Sequence, residues 1–203
     1  MPEVFRRGSR RVTVTGVVLA AGSSRRLGTP KQLLPYRDTT VLGGTLQVAR
    51  RVGFDQLIVT LGGSAQAVRD AVRLDAFDVV AVEDFGSGCS ASLSAALQRV
   101  HPEASGIVLM LGDQPRVDPA TVGRLVAEGP AGPIMVCRYD DGVGHPFWLS
   151  RTVFGDLQRL HGDKGVWKLV ESGQHEVREL AVDGPIPLDV DTWDDYQRLM
   201  ESS

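Results

Sequence analysis

Along the chain, apolar positions switch repeatedly between a strand-like and a helix-like period. Residues 12–19 read Val-Thr-Val-Thr-Gly-Val-Val-Leu, with β-branched side chains on both faces. That pattern predicts a central parallel strand covered on each side. Thr40 can cap a helix whose apolar positions Val41, Leu42, Leu46, Ala49 and Val52 share one face, with Gly53 as its stop. A strand over 56–60, a helix capped by Ser64 and a third strand over 78–82 follow. A helix over 90–99 and a fully apolar fourth strand over 106–111 continue the rhythm. Asp118 before Pro119 predicts the next helix start, because proline is tolerated in a first helical turn. A fifth strand is expected over 134–137. After it, Asp140-Asp141-Gly142 predicts a hairpin turn with a return strand at 147–149. Helices over 152–160 and 164–172, a strand over 176–182 and a last helix over 192–200 complete the pattern. Alternation of this kind argues for an α/β domain with a mostly parallel sheet.

Length adds that a single domain over 12–203 is expected, with residues 1–11 a short disordered lead-in that lacks the apolar segment of a secretory signal. A formal net charge of −3 gives no electrostatic footprint for nucleic acid, and no apolar run approaches membrane-spanning length. The two cysteines, Cys89 and Cys137, make neither a disulfide framework nor a metal cluster, and a reducing cytoplasm is the simplest setting.

Chemistry concentrates where the first strand ends. Leu19 leads into Ala20-Ala21-Gly22-Ser23-Ser24, small residues that let a ligand approach backbone N–H groups, and Arg25, Arg26 and Lys31 follow. A polyphosphate needs such a combination. It is not a Walker A loop, because Lys31 follows Pro30 and no Lys-Ser/Thr pair exists. The fourth strand ends in Leu111-Gly112-Asp113-Gln114-Pro115, which puts a hard carboxylate at the strand terminus where α/β sheets bind ligands. The alternative role for Asp113 is a turn aspartate bonding its own backbone. Asp189 and Asp191 form a second acidic turn before Thr192, which can cap the last helix with Asp195 as a partial capping box. Capping leaves two neighbouring carboxylates unexplained, since like charges that close need a cation.

Leu-Ala-Ala-Gly-x-x-x-Arg-Leu-Gly-x-x-Lys, at residues 19–31, resembles the signature of the MobA-like nucleotidyltransferases. Leu-Gly-Asp-x-Pro at 111–115 and Asp-x-Asp-Thr at 189–192 are similar to that family's metal motifs, although Trp193-Asp194-Asp195 replaces the usual Pro-Glu-Asp. The resemblance implies a three-layer α/β/α sandwich of the nucleotide-diphospho-sugar transferase type, with a Rossmann-like sheet. It implies a nucleoside triphosphate held by residues 19–25, Lys31, Gly88, Ser92 and Asp113. Catalysis would rest on Arg26, Lys31 and Asp113, and Mg²⁺ on Asp113 with Asp189 or Asp191. The acceptor side would comprise Gln114, Gly144, His145, Pro146 and Asp163. Within the family the chain is close to the molybdenum cofactor cytidylyltransferases. Ala21 points to CTP, joined to the terminal phosphate of a molybdopterin acceptor, and a molybdenum hydroxylase is a possible partner. GTP, another small phosphorylated acceptor, or a non-catalytic assembly role are the alternatives. A different chemistry is suggested by Gly86-x-Gly88-x-x-Ala91, which matches a dinucleotide fingerprint and would suit an NAD(P)-dependent oxidoreductase. That fingerprint usually opens the first βαβ unit, however, and here it comes third.

Overall fold

The computed structural model describes residues 13–83, 88–162 and 164–201. The expected lead-in, Gly86 of the fingerprint and Asp163 lie outside them. Among the described residues nine strands form: β1 (Thr13–Ala20), β2 (Pro35–Tyr36), β3 (Thr39–Thr40), β4 (Gln56–Leu61), β5 (Asp78–Ala81), β6 (Ala104–Leu111), β7 (Ile134–Tyr139), β8 (Gly142–Ser150) and β9 (Val177–Ala181). The α-helices are α1 (Val41–Val52), α2 (Ala65–Ala71), α3 (Cys89–Leu97), α4 (Pro119–Glu128), α5 (Phe154–Leu157), α6 (Gly165–Glu171) and α7 (Trp193–Glu201). Seven strands build the main sheet in the order β5-β4-β1-β6-β8-β7-β9, while β2 and β3 make a separate antiparallel ribbon.

The side chains of β1 explain the layering. Val14, Val18 and Ala20 join a core with Leu42 and Leu46 of α1, Val68 of α2 and Leu125 of α4. Val17 and Leu19, on the other face, join Leu93 of α3, Leu157 of α5 and Val166 of α6. Val17 and Val18 are both 0% exposed, each burial being worth roughly 1.5–3 kcal/mol. Helices therefore cover both faces of a mostly parallel sheet, as the alternation predicts.

Local signals set several boundaries. The Thr40 hydroxyl accepts from Gly43 N–H at 3.0 Å, and Gly53 closes α1 in the left-handed region at φ 77°. Asp118 accepts from Ala120 N–H at 3.0 Å, with Pro119 opening α4. The Ser64 side chain, by contrast, makes no cap hydrogen bond to α2. The helix expected over 152–160 is instead a 3-10 turn (Arg151–Val153) running into the four residues of α5.

The main departure from simple alternation is β8. The hairpin's return strand inserts between β6 and β7 and is antiparallel to both. Trp148 drives the insertion. It is 1% exposed and donates its indole N–H to Gly132 O at 3.0 Å. It also fills space left by two glycines: a Cβ on Gly106 or Gly129 would stand 2.6 Å or 2.4 Å from its ring.

Candidate active site at the carboxyl ends of the central strands

β1 has β4 on one side and β6 on the other, so its carboxyl end is a switch point where an open parallel sheet leaves a crevice. A cavity of about 550 Å³ occupies that place, a size suited to a small-molecule ligand. Leu19, Ala20, Ala21, Gly22, Ser23, Ser24, Arg25, Arg26 and Lys31 line one side. Gly88, Cys89 and Ser92, at the start of α3, line another, and Asp113, Asp189 and Asp191 complete it. Every residue that the sequence assigns to nucleotide or metal thus reaches one cavity.

The loop after β1 is fixed by its own chemistry. Ser24 takes a positive φ of 51°, and its carbonyl accepts from Leu27 and Gly28 N–H at 3.1 and 3.2 Å. Its hydroxyl accepts from Lys31 N–H at 3.0 Å, which fastens the loop to the 3-10 turn Lys31–Leu33. No backbone N–H of residues 21–26 donates to another group among the described residues. Residues 21–26 line the cavity, and backbone N–H groups left without a partner among the described residues suit an anion there.

Lys31 Nζ reaches across to Asp113, and donates to Asp191 Oδ1 at 2.7 Å. Both Lys31 and Asp113 side chains are 14% exposed. Burial opposes the charge on Lys31, but the Asp113 and Asp191 carboxylates outweigh it and hold its pKa above the ordinary lysine value. Arg26 lies 3.7 Å from Asp191 and its side chain is 71% exposed, a solvated pair of little strength. Asp113 itself needs no side-chain bond to keep its place. Gly112 N–H donates to Leu19 O at 2.8 Å and Gln114 N–H to Leu111 O at 3.3 Å, so the backbone holds the turn.

Residues 185–190 are not a strand, although Asp189 and Asp191 still both face the cavity. Thr192 and Asp195 form the capping box expected of them: Thr192 N–H donates to Asp195 Oδ2 at 2.8 Å, and Asp195 N–H to Thr192 Oγ1 at 3.2 Å. Leu199 of α7 packs with Leu27, Leu34 and Tyr36, which ties the helix after the acidic turn to the segment that follows the loop after β1. Asp189 lines the cavity as an exposed residue, yet the protein around it displaces part of the water its carboxylate would hold. That desolvation, together with the charge on Asp113, pushes its carboxyl up to about 6, the Gln114 amide pulling the other way.

Carboxylates that resist sharing negative charge fit a divalent cation. The donors are all hard oxygens, yet no trio of acidic, histidine or cysteine side chains among the described residues forms a cage by itself. Mg²⁺-type ions match that incomplete set, because they are usually held by one or two carboxylates plus substrate phosphates. Charge balance agrees. Three cations and three carboxylates line the cavity, so a polyphosphate brings negative charge that only a further cation offsets.

The residues given to the acceptor by resemblance behave differently. Gln114 is 1% exposed and donates to Pro187 O at 3.0 Å, holding the acidic turn against the end of β6. Gly144, His145 and Pro146 lie on β8 and are not among the cavity's lining residues. Ile186 presses on Gly144, where a Cβ would stand 2.7 Å from its Cγ2. His145 stacks on Phe147 at 4.2 Å and meets Trp167 edge-on. Burial pushes its imidazole down to about 4, so it is neutral at pH 7. Gly162 O accepts from Ser90 Oγ at 2.5 Å, which docks the loop before α6 onto the start of α3. Gln32 is a cavity-lining residue that motif reading passed over. Only Gln32's position beside Lys31 could have drawn attention to it.

Among the described residues no helix is long and apolar enough to cross a membrane. The chain is similar to Rv0371c of Mycobacterium tuberculosis H37Rv, whose crystal structure is 75% identical with a TM-score of 0.91, covering 94% of this chain and 98% of that one. A second crystal structure of Rv0371c is a complex with manganese, at 71% identity and a TM-score of 0.88 over 95% of this chain and all of that one. Purine catabolism protein PucB of Bacillus subtilis is 29% identical over 89% of this chain and 93% of its own length. Nicotine blue oxidoreductase of Paenarthrobacter nicotinovorans is 37% identical, but the match spans only 62% of either chain. The model of the MobA-like NTP transferase domain matches residues 16–178, from β1 through the phosphate loop and Asp113 to β9. With that match over most of its length, the chain belongs to the MobA-like NTP transferase family and is a nucleotidyltransferase.

Proposed function

We propose that this nucleotidyltransferase moves CMP from CTP to the terminal phosphate of a molybdopterin-type acceptor, in the cytoplasm, with release of pyrophosphate. The observation that carries the phosphate side is the run of N–H groups without a partner among the described residues, at residues 21–26, which line a cavity with Lys31 and Asp113. An acceptor phosphate oxygen would attack the α-phosphorus as the bond to the bridging oxygen of pyrophosphate breaks. A phosphate monoester is largely dianionic near neutrality, its second pKa being about 6, so no general base is needed. Neutral His145 and the absence of a nucleophile–base pair in the cavity lining are consistent with that demand.

Repulsion between anions is then the main barrier, and placed positive charge lowers it. The loop amides would orient the phosphate chain, and Lys31 with Arg26 would offset charge growing on the departing pyrophosphate. A divalent ion, Mg²⁺ in this reading, would be held by Asp113 with Asp189 or Asp191 and would supply further positive charge to the phosphates. The manganese complex of Rv0371c, at 71% identity, supports a divalent ion. Gly88 and Ser92, opposite the phosphate loop, would meet the base and ribose. Ala21 within the Leu-Ala-Ala-Gly pattern favours CTP. The acceptor would approach from β8, where His145 stands, with Asp163 and a molybdenum hydroxylase partner as further parts of the proposal.

A second reading comes from the relative named as an oxidoreductase. Gly88, at φ 92°, does open α3 as a dinucleotide fingerprint would. However, Asp113, the acid downstream of that fingerprint, is paired with Lys31 and follows a strand three places away from β5. The transferase reading uses both residues, and the dinucleotide reading leaves that ion pair without a role.

Pyrophosphate release measured with CTP, GTP, ATP and UTP, each with Mg²⁺ and with or without molybdopterin, tests the proposal. Release that requires both CTP and molybdopterin is expected. Turnover with GTP, or with a different phosphorylated acceptor, would reassign the substrates. Release with none of the four, together with a thermal shift from NAD(P)H and none from CTP–Mg²⁺, would favour the oxidoreductase.

A further inference from the structure

Gln32 is a glutamine at 4% exposure, beside the phosphate loop and outside every motif discussed above. Its side-chain amide Nε2 donates to Ala20 O at 2.8 Å and to Gly22 O at 3.0 Å. Two carbonyls accept from the same nitrogen, so the amide orientation is unambiguous. Its Oε1 is buried and has no hydrogen-bond donor among the described residues. Leaving a buried acceptor unsatisfied is unfavourable, and a side chain kept only for stability would not be expected to do so.

A trans peptide is planar, with its C=O and the following N–H on opposite edges. Drawing Ala20 O toward Gln32 therefore turns Ala21 N–H away from it, and drawing Gly22 O does the same for Ser23 N–H. Among the described residues neither N–H donates to another group. Lys31 N–H adds a third fastening at Ser24 Oγ, so the 3-10 turn grips the loop at residues 20, 22 and 24. We infer that Gln32 is a positioning residue. It fixes alternate peptide planes so that the intervening N–H groups stand ready for an anionic phosphate chain before the ligand arrives. Without it, small residues would leave the loop free to rotate those planes, and binding would first have to order them. The inference rests on the phosphate-binding reading of the loop and assigns the residue that preorganises it.

Calorimetric titration with inorganic tripolyphosphate and Mg²⁺, on wild type and Gln32→Met, separates the two ideas. Methionine keeps the length and burial but loses both donors. Wild-type binding and about tenfold weaker binding by Gln32→Met are expected, as is a tenfold higher KM for the nucleotide at nearly unchanged kcat. Equal affinity in the two proteins would overturn the role of Gln32 and leave the phosphate reading standing. No binding by wild type would overturn both. Should Gln32→Met fail to fold, the amide resonances of Ala21 and Ser23 in ¹⁵N-labelled wild type decide. They are expected to move most on adding tripolyphosphate, and stationary Ala21 and Ser23 signals would contradict the inference.

Discussion

Replacing Lys31 by alanine is expected to lower pyrophosphate release by about 10²–10³-fold, the scale on which removing one preorganised charge or donor acts in a closed site. The ammonium sits between Asp113 and Asp191 and is the least exposed of the three cations lining the cavity. Its charge is secured by carboxylates that outweigh the burial opposing it, so it stays protonated through the neutral range. Folding should survive. The side chain ends in an open cleft where water can solvate the carboxylates it leaves, and the backbone of Lys31 keeps its bond to Ser24. The melting temperature should therefore stay within a few degrees of wild type. Normal turnover in Lys31→Ala would remove Lys31 from the reaction.

Asp113→Ala should cost at least as much and should carry a different signature. In wild type, turnover should rise and saturate with added Mg²⁺ or Mn²⁺. In the variant the response should flatten or move to much higher metal concentration, because the remaining carboxylates belong to a turn held against the end of β6 by Gln114. The variant should fold, since the turn around Asp113 is closed by the backbone bonds from Gly112 and Gln114. An unchanged metal titration would take Asp113 out of the divalent-ion site.

The parts of this molecule that sequence disclosed are those whose cause is local. Thr40 and Gly53 bracket α1 because a cap and a left-handed stop are properties of single residues. The Thr192–Asp195 capping box follows from a three-residue spacing, and the loop that lines the cavity from five small residues after a buried strand. The hidden parts depend on pairings that no local pattern records. β8 enters the sheet between β6 and β7 because Trp148 finds room beside Gly106 and Gly129, residues scattered along the chain. Asp191 reaches Lys31 across 160 positions of sequence. The capping box together with the packing of α7 places it there. Gln32 escaped notice because a lone glutamine beside a lysine carries no spacing signal. Its role appears only once two loop carbonyls are seen to accept from it. The place of Gly144, His145 and Pro146 on β8 follows from the fold, and the acceptor role proposed for them rests on resemblance.

The central claim is that this cleft gathers a triphosphate between backbone amides, Lys31 and a carboxylate-held divalent ion. Its most direct test is a crystal structure with a non-hydrolysable CTP analogue and Mg²⁺ or Mn²⁺. The account predicts phosphate oxygens within hydrogen-bonding distance of N–H groups in residues 21–26 and the metal on Asp113. A triphosphate bound away from the loop that follows β1 would contradict it.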